Sequence, residues 1–193
     1  MEFNAKQIQY RIMCGEEKAL AELYVHFNKR LCDFANALLH SPEVAEEAVE
    51  DIFVKLWNRR NKINEIENLT IYLYVSVKNK ALNTLSQMAK QLTNAPFDYL
   101  DIHLKDASFN PQDLLITHEM MQRMQHAIEA LPPRCKMIFK LVREDGLKYK
   151  EISQILNISV NTIDAQMAIA VKRICTALNV EIHKRKFSEV LNK

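Results

Sequence analysis

The chain has 193 residues, a formal net charge of +2 and 48% hydrophobic residues, enough to bury a core in one domain or two small ones. Two glycines and five prolines are too few for the many turns of a sheet protein, so the expected fold is all-α. Neither a secretory leader nor a membrane span is expected. The opening "MEFNAKQIQYR" has no apolar centre, and the longest apolar run, "LTIYLYVSV", is far short of the roughly 18–20 residues that crossing a bilayer requires.

Charge is uneven along the chain. Residues 1–92 balance 12 basic against 12 acidic side chains, residues 93–117 set Lys105 against four aspartates, and residues 118–193 hold 13 basic against 8 acidic. Only the C-terminal third has the bias of a polyanion binder, and mildly so. Cys14, Cys32, Cys135 and Cys175 form no C-x-x-C pair, which suits free thiols in a reducing cytosol.

Residues 5–39 read as helix broken near Gly15. Leu20, Leu23, Tyr24, Phe27, Leu31, Phe34, Ala35 and Leu38 recur at three- and four-residue steps, the period of one helical face. In "SPEVAEEAVEDIFVKLWNRR", Ser41 is a natural N-cap, Pro42 fits the first helical position and acids crowd the first turns. Helical-wheel positions turn Ala45, Ala48, Ile52 and Leu56 inward. Glu43, Glu47, Glu50, Asp51, Val54 and Asn58 share the opposite face, with Trp57 at its edge. A valine amid acids and beside a tryptophan has the character of a docking surface, although a solvated charged face with one stray valine fits as well.

"NKINEIEN" reads as a polar loop. "LTIYLYVSVKNKALNTLSQMAK" alternates locally like a strand. It has no partner strand, and Leu73, Val77, Ala81, Leu85 and Met88 continue at helical spacing, so we expect helix. Its polar face carries Tyr72, Ser76, Asn79, Asn83, Ser86, Gln87 and Lys90, flanked by Lys78 and Lys80. Amides and hydroxyls beside a ring and cations suit single-stranded nucleic acid; taken alone, an ordinary polar face explains them better.

A linker is expected over 91–110, then helix from Asn110-Pro111 through Met120, Met124 and Ile128 to Pro132-Pro133. "RCKMIFKLVRE" follows, closed by Gly146. "KYKEISQILNISVNTIDAQ" has the spacing of a helix-turn-helix. Tyr149, Ile152, Ile155 and Leu156 face inward on its first helix, and Ser153 is small enough for a close crossing. Asn157 tolerates the positive φ of the turn, Ile158 plugs the angle and Ser159 caps the second helix. Val160, Ile163, Met167, Val171 and Ile174 form the expected inner stripe. The outward Asn161, Thr162, Ala165, Gln166 and Ile169 can meet base edges, while Lys172, Arg173, Lys148 and Lys150 can hold phosphates. A plain helical hairpin is the blander reading. These cations are few against the roughly 6–10 phosphate contacts of a free-standing binder, so the domain needs a dimer or a larger DNA-bound machine.

In order, "AEEAVEDIFVKLWNRR", "YLYVSVKNKALNTL", an acidic linker, "LPPRCKMIF" and "REDGLKYKEISQILNISVNTI" closely resemble a bacterial RNA polymerase sigma factor. The resemblance is to the extracytoplasmic-function (ECF) group of the sigma-seventy family, which carries only regions two and four. It implies two small helical domains joined by a linker: region two over 1–90, the linker over 91–110, region four over 111–184 and a tail over 185–193.

It further implies that Glu47, Glu50, Asp51, Val54, Lys55 and Trp57 dock on the β′ clamp helices of core RNA polymerase. The loop Asn61–Asn68, with Asn61 and Asn64, and the helix bearing Tyr72, Lys78, Asn79, Lys80 and Asn83 would open and hold the minus-ten element of promoter DNA. Lys148, Lys150, Ser159, Asn161, Thr162, Ala165, Gln166, Ile169, Lys172 and Arg173 would read the minus-thirty-five element, near the polymerase β flap. Many members carry a basic residue where Asp164 stands and often another at Gln166, a departure that bears on contact strength and base preference. A membrane-tethered anti-sigma factor is the partner expected by analogy, with no direct membrane insertion and a cytoplasmic location.

The main rival is a stand-alone helix-turn-helix regulator with an N-terminal dimerisation or sensor domain. An enzyme is not expected. No metal-ligand spacing, glycine-rich phosphate loop or triad is present, the histidines (among them His103, His118 and His126) are scattered, and no cofactor is implied.

Overall fold

The structure is a computed structural model that describes residues 4–91 and 115–178, with side chains over 4–88 and 121–178. The expected linker, the helix start at Asn110-Pro111 and the tail lie outside the described residues. Eight α-helices and one short 3-10 turn make up the described chain, and no strand occurs among these residues. They fall into two compact units. The first holds α1 (Ala5–Met13), α2 (Glu17–Leu39), α3 (Pro42–Asn58), the 3-10 turn Arg60–Glu65 and α4 (Leu69–Gln91), and takes in residues 150–158. The second holds α5 (Leu115–Glu129), α6 (Pro133–Arg143) and α8 (Val160–Ala177). The remaining helix, α7, spans Tyr149–Leu156.

The first unit follows its sequence signals closely. Gly15 breaks α1 from α2 at φ +84°, a backbone region that glycine enters without a Cβ clash. Arg11 then ties the corner by ion pairs to Glu16 and Glu22. Ser41 caps α3, its hydroxyl accepting the Val44 N–H at 3.3 Å, with Pro42 at the start of the helix. Leu23, Phe27, Leu31, Phe34 and Ala35 of α2 are buried against Ala45, Ala48, Ile52 and Leu56 of α3 and Leu73, Val77 and Ala81 of α4. Phe34 meets Tyr74 edge-on at 5.2 Å, and Tyr24 meets Phe53 at 5.0 Å.

Some details differ from the sequence reading. On α2, Ala19 and Leu39 are buried where Leu20 and Leu38 are only half-buried. The strand-like run is helix, and Tyr74, skipped by the alternating pattern, is fully buried in it. "NKINEIEN" is mostly the 3-10 turn, because Ile63 turns inward to complete burial.

The core of the second unit comes from Ala127, Ile128, Cys135, Ile138, Phe139, Leu141, Ile163, Met167, Ala170 and Ile174. The inner stripe of α8 is narrower than expected. Val160 is exposed and Val171 half-buried, while Ala170 takes the inward position. On α5, Met124 is exposed and Ala127 beside Ile128 supplies the contact.

Lys136 is buried, its ammonium 2.7 Å from Glu129, which Lys140 also approaches at 3.5 Å. Burial works to raise the Glu129 pKa, but the two lysines outweigh it and hold the carboxyl below its ordinary 4.5. Removing the carboxylate strands a buried ammonium. Glu129→Gln should therefore cost about 2–3 kcal/mol, read as a loss in chemical denaturation of the intact chain. Because the folded pKa is depressed, the wild-type contribution is fully present above 4.5 and is lost as pH falls through the lower folded value. The gap between wild type and variant should close over that acid range.

Candidate polymerase and nucleic-acid interfaces

The outward face of α3 is a direct consequence of its inward one. With Ala45, Ala48, Val49, Ile52, Phe53 and Leu56 all buried, Glu47, Glu50, Val54 and Lys55 are left in solvent, Val54 at 58% exposure. Trp57 is half-buried at the C-terminal edge. The Arg60 guanidinium lies 4.8 Å from its ring centroid and donates to the Trp57 carbonyl at 3.1 Å. This fixes a flat aromatic edge beside the acidic face. Asp51 is not a free acid, because it accepts from Lys80 of α4. That hydrogen bond is the main reason its carboxyl is held below the usual range.

Lys80 and Asp51 were assigned from sequence to different surfaces; the structure joins them. Lys78 is also engaged, donating to the Ile155 carbonyl at 2.7 Å. Asn79 and Asn83 are exposed on α4, and Tyr72 is half-buried. Asn61 and Asn64 are exposed on the 3-10 turn, and the Asn64 amide lies 3.1 Å from Met13 Sδ. Three features of α1 were not anticipated: Lys6, Gln9 and Met13 all reach this turn. Gln9, between Ile8 and Ile12 in the buried stripe of α1, carried a signal, since a polar side chain there requires a partner.

The helix-turn-helix has the expected local construction. Asn157 has φ +56°, and the Ser159 hydroxyl accepts the Thr162 N–H at 3.0 Å. Ser153 does more than stay small. Its hydroxyl donates to the Ile158 carbonyl at 2.6 Å and its own carbonyl accepts the Ile158 N–H at 3.3 Å. Asn161, Ala165, Ile169, Lys172 and Arg173 are exposed, as are Ser159, Lys148 and Lys150; Thr162 and Gln166 are half-buried. The Gln166 carbonyl accepts from Cys135 Sγ at 3.2 Å, so the helix at that point is anchored to α6. Asp164 is exposed and acts electrostatically on Tyr149, whose hydroxyl is buried without a partner among the described residues. Burial first, and then the Asp164 charge, raise that phenol above its ordinary pKa, with Arg143 opposing.

All four cysteines are free, and burial pushes the half-buried Cys32 thiol up to about 11. Among the described residues there is no cluster of potential metal ligands, and no helix is long and apolar enough to cross a membrane.

Comparison with known proteins places the chain in a family. Residues 23–91 match Sigma-70 region 2, and residues 121–174 match Sigma-70 region 4. The chain belongs to the sigma-70 family. Within it, the chain is similar to the ECF RNA polymerase sigma-E factor of Escherichia coli strain K12, at 25% identity over 81% of this chain and 85% of that one. It is also similar to the RNA polymerase sigma-H factor of Pseudomonas aeruginosa, at 21% identity over 90% and 93%.

In fold it resembles the sigma factor RpoE, solved with the anti-sigma factor NepR from Bartonella quintana. The TM-score is 0.57 at 20% identity, over 85% of this chain and 99% of that one. It also resembles CnrH, solved with the cytosolic domain of CnrY, with a TM-score of 0.53 at 14% identity over 91% and 98%. The chain is thus an RNA polymerase sigma factor of ECF type. A stand-alone regulator is disfavoured, since its N-terminal half would have no reason to match region 2.

The turn at Asn157 offers a clean test of local construction. Asn157→Ala forces a Cβ-bearing residue without a compensating side-chain bond into the left-handed region and should cost about 1 kcal/mol. Asn157→Gly should hold stability within a few tenths of a kcal/mol. Urea denaturation of both variants beside wild type measures the difference.

Proposed function

We propose that the chain docks on core RNA polymerase through α3 and reads a promoter at two separated points. Glu47, Glu50, Asp51, Val54, Lys55 and Trp57 form the polymerase surface, on the β′ clamp helices. The 3-10 turn and α4 form the minus-ten surface, with Asn61, Asn64, Tyr72, Lys78, Asn79, Lys80 and Asn83. The minus-thirty-five surface is built on α8 and its approach: Asn161, Thr162, Ala165, Gln166 and Ile169 meet bases near the β flap, and Lys148, Lys150, Ser159, Lys172 and Arg173 hold phosphates. These surfaces belong to a region-two domain over 1–90 and a region-four domain over 111–184, joined by a linker.

The observation that carries this reading is the order of the two matched segments in one chain. The exposed Val54 beside a rigid Trp57 edge supports the docking assignment. Neither DNA surface is strongly basic. Held together by polymerase, however, two weak contacts add through effective concentration. The chain itself catalyses nothing and needs no cofactor. It works in the cytoplasm and is held inactive by a membrane-tethered anti-sigma factor. The NepR and CnrY complexes of its structural relatives make a partner of that kind reasonable.

The deciding experiment adds purified chain to core polymerase and a promoter template. Specific transcripts should depend on both. A specific nanomolar gel shift by the chain alone, with no core-dependent transcripts, would overturn the reading. Val54→Glu should weaken core binding on the order of 30-fold, the ~2 kcal/mol of an interface hot spot, with helicity by circular dichroism unchanged. Asp164→Lys adds a cation at an exposed position of α8. It should tighten promoter binding and lower the ratio of specific to non-specific binding in competition assays.

A further inference from the structure

Gln9 is the most unusual polar residue of the first unit. It is 1% exposed, yet it comes from a surface helix and reaches across to another element. Its Nε2 donates to two main-chain carbonyls, Ile63 at 2.7 Å and Ile66 at 2.9 Å. These carbonyls stand at the C-terminal end of the 3-10 turn Arg60–Glu65, where the Ile63 carbonyl also accepts the Ile66 N–H at 3.2 Å. Both amide hydrogens are therefore used, and each fixes a different residue of the turn. One helical turn before Gln9, Lys6 adds a bond to the Ile66 carbonyl at 3.3 Å. One turn after it, Met13 Sδ receives the Asn64 amide at 3.1 Å.

Residues 6, 9 and 13 are spaced three and four apart, so they form one stripe of α1 laid along the turn. The stripe lies before residue 23, where the region 2 match begins. Ile63 is buried beneath the turn, which is thus held from below by an apolar plug and from the side by a side-chain amide. Asn61 and Asn64 remain exposed on its free side.

We infer that the Lys6–Gln9–Met13 stripe, with Gln9 at its centre, is a positioning element that sets the geometry of the turn through which the chain holds the opened promoter strand. The inference rests on the proposed minus-ten role of Asn61–Asn68. A base leaves the duplex stack at a cost, and only a turn already in its receiving shape can offset that cost at the moment of opening. The main-chain carbonyls that Gln9 holds lie within two residues of Asn64, so their displacement moves the proposed contact directly. Gln9 touches no DNA itself; it acts through the backbone of the turn.

The test uses reconstituted holoenzyme. Gln9→Met keeps the volume and burial but removes both donors. Gln9→Glu places an acceptor against two carbonyls. Arg11→Met, which cuts the α1–α2 ion pairs without touching the turn, serves as a control for lost stability. Three quantities are read: affinity for core, permanganate reactivity of thymines on a duplex promoter, and initiation from a template opened in advance.

Gln9→Met should keep core affinity and initiation on the opened template. It should lower duplex opening about tenfold, the scale of one or two net hydrogen bonds, and Gln9→Glu should lower it further. Arg11→Met should change none of the three at temperatures where the chain stays folded. Unchanged duplex opening by Gln9→Met overturns the inference. So does a parallel loss of all three readouts in Gln9→Met and Arg11→Met, which would mark Gln9 as general scaffold. If wild-type chain gives no opening with core at all, the reading of the turn fails first and takes this inference with it.

Discussion

The first unit depends on the mutual burial of α2, α3 and α4. Each helix is amphipathic, and most of its stability comes from packing that apolar face rather than from helix propensity. Once the apolar stripes are spent on a shared core containing Phe27, Leu31, Phe34, Tyr74 and Ile52, the remaining faces have no freedom of orientation. The acidic face of α3 and the amide-rich face of α4 point where they do because their opposite sides are committed. Function in this unit is a by-product of packing, in the sense that the surfaces are what the core leaves over.

The connection between α3 and α4 shows how local chemistry refines that outcome. Three devices converge on the short turn after α3. Arg60 folds back over Trp57 and caps its carbonyl, Ile63 plugs into the core, and Gln9 reaches in from α1. A six-residue polar stretch could not hold one conformation by itself. It does so here because each of its ends and its middle is tied to a different neighbour.

Much of this was legible in the sequence. The periodicity of α2 and α3, the Ser41-Pro42 start, the Asn157 turn and the Ser159 cap are local features, and each follows from propensities of a few adjacent residues. The family order was equally plain. What escaped reading was relational. Gln9 and Ile63 lie 54 positions apart in the chain, so no local pattern announces their contact. The pairing of Lys80 with Asp51 depends on the rotation of two helices about their axes. On α8 the inward side takes Ala170, while Val160 is exposed and Val171 half-buried. Lys78 and Lys80, read as cations waiting for phosphate, already have protein acceptors. In the proposed minus-ten role, DNA would have to compete for them.

The Asp51–Lys80 pair has a meaning for genetics as well as for structure. One partner lies on the surface proposed for polymerase, the other on the surface proposed for promoter DNA. A change at either position removes the ion-pair partner of the other, so their effects will not add. On the proposed roles, an allele at Asp51 that assembles poorly would also alter promoter preference. In those proposed roles, one ion pair couples the surface that meets the enzyme to the surface that meets the promoter.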